Sequence, residues 1–366
     1  MMKPRAIHFL RVLILFCGAS VIAGRVDAAA PRVSVVAAPN GNRPVVARRD
    51  DSGTIHLVCD SSDGPKYFST SDDGKTLSKP LPLVDASSRK PGLEFIVWDM
   101  TVTGNGTVHV ALGNNAWKLK LPKDEWGYFY TRRTAADESF SPLKNINLVP
   151  SEGFSIAAHG EDKVTAVWMA DKLFANVSTD GGLTFGPKTE IDPRLDPCNC
   201  CTTSCTYAPD GKLAILYREE TNNERNMYVA IWNQSTNDVT SHRVGKTPWN
   251  IDQCPMTYYS ITSTQNGFVT AWPTKGQIYC ARLDRSGKPT GPEEIRTNGS
   301  NGMRTGIVAL DAKGGAMVVI WKKDKRLSWK AFDRQGRPVG TADAIDSDGN
   351  GAAGTTTKSG DVVVFY

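Results

Sequence analysis

The sequence predicts an all-β fold, a β-propeller of six or seven blades, and two repeats running in phase along the chain predict it. The first is a Gly or Asn/Asp turn followed by a β-branched and aromatic run. It recurs at Gly53, Gly106, Asp162, Gly211, Asn266, Gly315 and Gly360, at intervals of 53, 56, 49, 55, 49 and 45 residues. The second is a turn opened by Asp and closed by Gly, at Asp72, Asp180, Asp284 and Asp333, whose separations of 108, 104 and 49 residues are one or two periods. An Asp carboxylate accepts hydrogen bonds from backbone amides two residues on, and Gly takes the positive φ, so the two together build a tight turn. Between these turns the chain reads as short strands with almost no helical spacing. Strands at that density, four to a period, fill the blades of a radially repeated sheet whose edges are short and protected.

The elements follow in order from the N-terminus. Lys3, Arg5 and Arg11, an apolar run over residues 12–24, and small residues at Ala28, Ala29 and Ala30 form the pattern of a secretory signal peptide. Cleavage after Ala28, read from Val26-x-Ala28, makes residues 1–28 the leader and residues 29–366 a single propeller domain, exported to a periplasmic or extracellular space. A lipoprotein reading through Cys17 has the bulky Phe16 against it. No other stretch approaches the ~18 apolar residues of a membrane span. The leader carries four basic residues and one acidic one, so its loss takes the formal charge from +5 to about +2. Lysines and arginines are scattered, without the basic stripe that nucleic acid requires. Of eight cysteines, one leaves with the leader, and the odd remainder enters a compartment where disulfides persist.

Seven second-strand signals count seven blades, the last closed by residues 32–38 pairing with residues 361–366. The best turn copy is Ser178-x-Asp180-x-Gly182-x-Thr184-Phe185, and Thr70-x-Asp72-x-Gly74-x-Thr76-Leu77 is a weaker one. These match the Asp-box, or bacterial neuraminidase repeat, so the chain resembles the sialidase-like propellers. That resemblance implies turns between third and fourth strands, away from an active site; sialidases proper have six blades. It also implies three arginines that grip a substrate carboxylate, one of them in an Arg-x-Pro segment of the first blade, and a Tyr nucleophile. This chain offers Arg43-Pro44 without the intervening residue, then Tyr217-Arg218, then Arg304. The planar guanidinium fork suits a carboxylate or sulfate better than a lysine does. The Tyr-Glu pair of a late blade is not identifiable, and Asp60, Asp63, Glu152 and Glu219 are eligible proton donors by position only.

Loops after each second strand and loops leading into each first strand share one rim, opposite the Asp-box turns, and a rigid scaffold presents function there. Residues 60–66, 117–126, 198–205, 217–225 and 249–254 and the approach to Arg304 all fall on it. Residues 196–272 more closely resemble a group of exported bacterial sialidase-like proteins of largely unassigned function. The resemblance rests on Asp196-Pro-Cys-Asn-Cys-Cys201, Tyr217-Arg218, Asn222 to Met227 and Trp249-Asn-Ile-Asp-Gln-Cys-Pro255. The group has Arg-Asp where this chain has Arg225-Asn226, which removes an acid.

Cys198, Cys200 and Cys201 enter the fourth blade and Cys254 the fifth, so a disulfide from Cys254 to one of the three would clamp neighbouring blades. The competing reading is a sulfur-rich cage for zinc or copper, completed by Cys254 or Cys205. Against it, the Cys-x-Cys-Cys spacing lacks the Cys-x-x-Cys pairs of zinc modules, and neither metal nor other cofactor is expected. Cys59 and Cys280 read as buried thiols. His56 and His109 hold the same position in successive second strands, which points to packing, and with only His8, His159 and His242 besides there is little from which to build a triad. Trp117, Trp126 and Trp249 are aromatic faces suited to sugar rings.

The resulting expectation is an exported propeller that binds an acidic or polar glycan through Arg43, Arg218, Arg304, Tyr217, Glu152, Glu219, Trp249 and Asp252. If it is an enzyme, the resemblance implies a glycoside hydrolase of exo-sialidase type. The alternative is a non-catalytic module whose rim holds another protein of the envelope or extracellular space.

Overall fold

The computed structural model describes residues 1, 30–39, 41–194, 196–300, 306–347 and 351–366. The leader read in residues 2–28 and the candidate Arg304 lie outside the described residues. The strands form seven sheets, six of them four-stranded meanders in chain order. Blade 1 comprises Asn42–Arg49, Ile55–Ser61, Lys66–Thr70 and Leu81–Pro82. Blade 2 follows with Phe95–Val102, Val108–Asn114, Phe129–Arg133 and Lys144–Asn145. Blade 3 is Glu152–His159, Lys163–Ala170, Lys172–Ser178 and Thr189–Glu190. Blade 4 is Ser204–Tyr207, Leu213–Thr221, Glu224–Asn233 and Asp238–Arg243. Blade 5 is Ser260–Thr264, Gly267–Thr274, Gln277–Asp284 and Ile295–Ser300. Blade 6 is Ile307–Ala312, Ala316–Lys323, Arg326–Phe332 and Pro338–Asp346. Each repeat found in the sequence falls at the second strand of a sheet, so the count of seven stands over six.

Blade 7 closes the ring differently. Ala353–Thr356 and Val362–Phe365 are its first two strands, and Val33–Val36 lies beside the second in parallel, Val33 opposite Val362. A segment leading into the first strand of blade 1 must run as a fourth strand runs, which is the direction of a second strand. With no third strand between them among the described residues, the pair is parallel where every other pair within a blade is antiparallel.

First strands of neighbouring blades touch all the way round, blade 7 meeting blade 1. Their inner edges would leave backbone N–H groups unpaired, which a buried backbone does not tolerate. Side chains from the preceding blade fill that need: Asp60 accepts from Val97 N–H (2.8 Å), Asp99 from Ile156 (3.0 Å), Ser204 from Ile261 (3.2 Å) and Ser260 from Ala309 (3.2 Å). The core is divided in the same way, with one apolar cluster in each gap between blades. Second strands are therefore buried on both faces, which is why they read as unbroken β-branched and aromatic runs.

The four Asp turns all follow third strands. Ser178 Oγ donates to Asp180 (2.7 Å), Gly182 N–H donates to Ser178 Oγ (2.8 Å) and Thr184 N–H to Asp180 (2.9 Å), and Thr70, Asp72, Gly74 and Thr76 repeat the set. Gly182 sits at φ +82, and a Cβ there would collide with the Tyr130 hydroxyl of blade 2. Asp284 and Asp333 each accept two backbone amides in shorter versions. His56 and His109 are buried with Nδ1 on the Tyr67 and Tyr130 hydroxyls (2.8 and 2.7 Å), a repeated packing device.

Candidate functional site

Blade 4 carries its second and third strands past its neighbours, joined at Asn222 and Asn223 with φ of 52° and 66°. Two positive φ values in a two-residue loop give a tight hairpin, and Asn tolerates them. Successive side chains of a strand face opposite ways. Leu213, Ile215 and Tyr217 accordingly pack toward blade 3, whereas Ala214 and Leu216 pack toward blade 5, the side on which Arg218 finds its partners. Tyr217 and Arg218 are both fully buried, so neither presents a side chain to the rim as the sequence suggested.

Arg218 Nη1 donates to the Arg225 carbonyl (2.8 Å) and Nη2 to the Pro273 carbonyl (2.6 Å) and Thr257 Oγ1 (3.4 Å). Its guanidinium lies 4.8 Å from the centroid of the Trp249 ring. Among the described residues no carboxylate pairs with it, and its Nε has no partner. Burial lowers its pKa, opposed by the nearby Cys201 and Cys198 thiols.

Those thiols arrive on a turn folded over the hairpin. Cys198 N–H donates to the Arg218 carbonyl (2.8 Å) and Cys201 N–H to the Cys198 carbonyl (3.1 Å). Cys200 is disulfide-bonded to Cys254, the link expected between blades 4 and 5. Cys198 and Cys201 remain thiols with their sulfurs 3.7 Å apart, and Cys198 Sγ is 3.6 Å from Cys200 Sγ. They are a Cys-x-x-Cys pair after all. The triplet concealed it, because the cysteine that leaves for the disulfide is the middle one. Arg225 Nη1 donates to Cys198 Sγ (2.9 Å) and its Nε to the Ile251 carbonyl (3.2 Å). All four sulfurs lie within 4.8 Å of one another. The hydrogen bond between the two sulfurs lowers the pKa of Cys201, with Arg218 adding to the effect against burial, and the same bond together with burial pushes Cys198 up. Cys205 takes no part, since it packs in the gap between blades 3 and 4. Cys59 and Cys280 are buried free thiols.

The other candidates are dispersed. Trp249 is half-buried over Arg218, and Asp252 and Glu152 are exposed. Glu219 shares the blade 3 face with Tyr217, where burial and the Asp196 and Asp192 carboxylates raise its pKa. Arg43 is elsewhere, in an ion pair with Asp60, and Arg48 pairs with Asp99 at 3.3 Å. Burial raises the pKa of both Asp60 and Asp99 even so. Both arginines, Trp98, Asp99 and Tyr258 line the central channel, whose volume of ≈ 110 Å³ is below the roughly 300 Å³ of a small-molecule site. On the rim side of Asp60 lies a roomier groove of ≈ 440 Å³, lined among others by Asp63, Arg89, Lys90, Glu94 and Ile96. The neighbouring turn packs Leu119 on Gly92 and carries Trp117 at 59% exposure, while Trp126 is half-buried and donates to the Leu121 carbonyl (3.0 Å). Sequence reasoning had Asp60, Asp63 and Trp117 but missed Arg89, Lys90 and Glu94, which sit in a connection without repeat signal.

No protein-family model matches the chain, nor does any curated protein. Solved structures do. A Penicillium chrysogenum α-L-arabinanase complexed with arabinobiose aligns with a TM-score of 0.50 at 12% identity, over 87% of this chain and 98% of that one. The Dos1 propeller aligns with the same score and identity over 88% and 78%. A leech intramolecular trans-sialidase gives a TM-score of 0.49 at 10% identity over 80% and 68%. Of a matched prolyl endopeptidase, the chain spans 44% of the length. At such identities the likeness is one of fold, the β-propeller. No helix among the described residues is long and apolar enough to cross a membrane.

Proposed function

We propose that this chain is an exported, sialidase-like propeller that binds a polar carbohydrate in the rim groove between blades 1 and 2. The observation that carries the reading is the groove's lining. Carboxylates of Asp60, Asp63 and Glu94 and cations of Arg89 and Lys90 line one concavity of ≈ 440 Å³, and the turn that packs Leu119 on Gly92 carries the exposed Trp117. Sugar hydroxyls use donors and acceptors together, and their apolar faces stack on indole rings. Mixed charge favours a neutral or weakly charged glycan over a strongly acidic one. A clamp of arginines is not assembled among the described residues, because Arg43 is engaged by Asp60 and Arg218 is buried. The arabinobiose bound by the Penicillium arabinanase is of the ligand class proposed.

Binding is better supported than hydrolysis. Tyr217 and Glu219 lie two residues apart on one strand face, yet that face packs against blade 3 and not toward either described candidate arginine. Within the groove Asp60 is the carboxyl whose pKa burial raises, and it is held between the Val97 N–H and Arg43. Export rests on the basic, apolar and small-residue leader, and N-terminal sequencing of the secreted protein should begin at Ala29. An array of neutral and acidic oligosaccharides, followed by calorimetry on the hits, tests the groove. Trp117→Ala and Asp63→Asn should each weaken binding about tenfold, or roughly 1.4 kcal/mol, and Arg334→Ala on the opposite face should leave it unchanged. An empty array, or groove variants that bind like the wild type, puts the protein-interaction module in front.

A further inference from the structure

The corner between blades 4 and 5 has a chemistry that the glycan groove does not use. We propose that Cys198 and Cys201 are a binding site for one soft metal ion, copper(I), framed by the Cys200–Cys254 disulfide and by Arg225.

Three observations carry it. The two free sulfurs are 3.7 Å apart, so a single ion can bridge them with little movement, and both cysteines are at most 2% exposed. Burial at that level keeps the disulfide of another protein from the pair, while the adjoining Cys200 and Cys254 are half-buried. The second observation is charge. Arg218 is fully buried without a carboxylate partner among the described residues, and a buried cation left uncompensated is costly. Two thiolates on a monovalent ion form a monoanion placed against that guanidinium, and the thiol protons pass to solvent as the ion binds. Third, the outer contacts are those of a ligand-orienting shell: Arg225 donates to Cys198 Sγ at 2.9 Å and is itself anchored on the Ile251 carbonyl.

The number of ligands decides which ion. With Cys200 and Cys254 joined, two thiolates remain, and the clustered ligand groups include no His, Asp or Glu. Zinc requires four donors. Copper(I) is selected by soft sulfur ligands and accepts two or three of them, the third neighbour here being Cys200 Sγ at 3.6 Å. Export would place the chain where the Cys200–Cys254 disulfide stays closed, and anaerobic conditions keep Cys198 and Cys201 from joining in a second one.

The experiment is an anaerobic titration of the full-length mature protein with copper(I) against bicinchoninate, without a disulfide reductant, with X-ray absorption at the copper edge. One equivalent retained against the competitor, with copper–sulfur scattering from two or three sulfurs, is the expected result. Cys198→Ser and Cys201→Ser should each abolish retention. Arg225→Met, which keeps every sulfur, should weaken it about tenfold, as loss of an outer-shell partner does. Circular dichroism of each variant shows whether it is folded, and Arg225→Met remains the deciding variant if the serine variants are not. Wild-type protein that surrenders all copper to bicinchoninate overturns the proposal. So does retention that survives loss of both thiols, or binding that appears only after the disulfide is reduced.

Discussion

Two junctions between neighbouring blades each carry a pair of arginines, and the pairs resolve their charge in different ways. At blades 1 and 2, Arg43 and Arg48 meet Asp60 and Asp99, and their side chains keep 41% and 39% of their exposure. At blades 4 and 5, Arg218 has lost all contact with water and meets carbonyls, an indole face and sulfur, with Arg225 half-buried on Cys198. A half-exposed guanidinium can trade its carboxylate for water, so it fixes little around it. A buried guanidinium has no such substitute. It holds Pro273, Thr257 and the hairpin end in one arrangement, and that arrangement is what aligns the sulfurs.

The largest effect expected from this contrast is that of removing Arg218. Arg218→Ala leaves the Arg225 and Pro273 carbonyls unsatisfied and opens a cavity under Trp249, and should cost about 2–5 kcal/mol in denaturant unfolding. Arg218→Lys should recover little, since one ammonium cannot reach acceptors spread over the fork. The comparison breaks if Arg218→Met restores wild-type stability, because the guanidinium would then be mere filling.

Next in size is the disulfide. Cys200 and Cys254 are 54 residues apart in sequence, and opening a loop of that length by Cys254→Ser should cost about 2–4 kcal/mol. Hydrogen exchange sharpens the result. Protection should fall over residues 249–259 and persist in the first strands of blades 1 and 2, whereas loss spread evenly over the ring would deny the corner its separate identity.

These two corners also divide what the sequence revealed from what it concealed. The blades were legible because their signals are local: Ser178, Asp180, Gly182 and Thr184 build their turn within seven residues, and so fix a spacing that repeats. The ring of hydrogen bonds that Val97 N–H donates to Asp60 and Ile156 N–H to Asp99 joins residues tens of positions apart and leaves no periodic mark. Arg218 was misread as a rim residue although a usable signal existed. It adjoins Tyr217 on a strand, and neighbours on a strand face opposite sheet surfaces, so the two could not line one pocket. Its actual partners Thr257 and Pro273 come from blade 5, where nothing in sequence announces them. The Cys-x-x-Cys pair was hidden by a third cysteine whose partner only the fold identifies.

The smallest effect is the one that tests the exposed corner directly. Arg43 is 41% exposed, and Asp60 keeps the Val97 N–H when the guanidinium is gone. Arg43→Gln should therefore cost about 1–2 kcal/mol, more than a surface ion pair because the Asp60 carboxylate is buried and less than a fully buried pair. Two titrations distinguish this from the buried case. Added salt screens exposed charges, so the gap between wild type and Arg43→Gln should shrink as ionic strength rises, while the Arg218→Ala gap should hold. The pH dependence has a definite sign. Burial raises the folded pKa of Asp60 above its ordinary value, and the attraction to Arg43 exists only for the ionised carboxylate. As pH falls through that raised pKa, the wild type loses the attraction and the variant has none to lose, so the gap closes in acid and is full at neutrality. A gap of several kcal/mol that ignores both salt and acid would place Arg43 with Arg218 and erase the distinction between the corners.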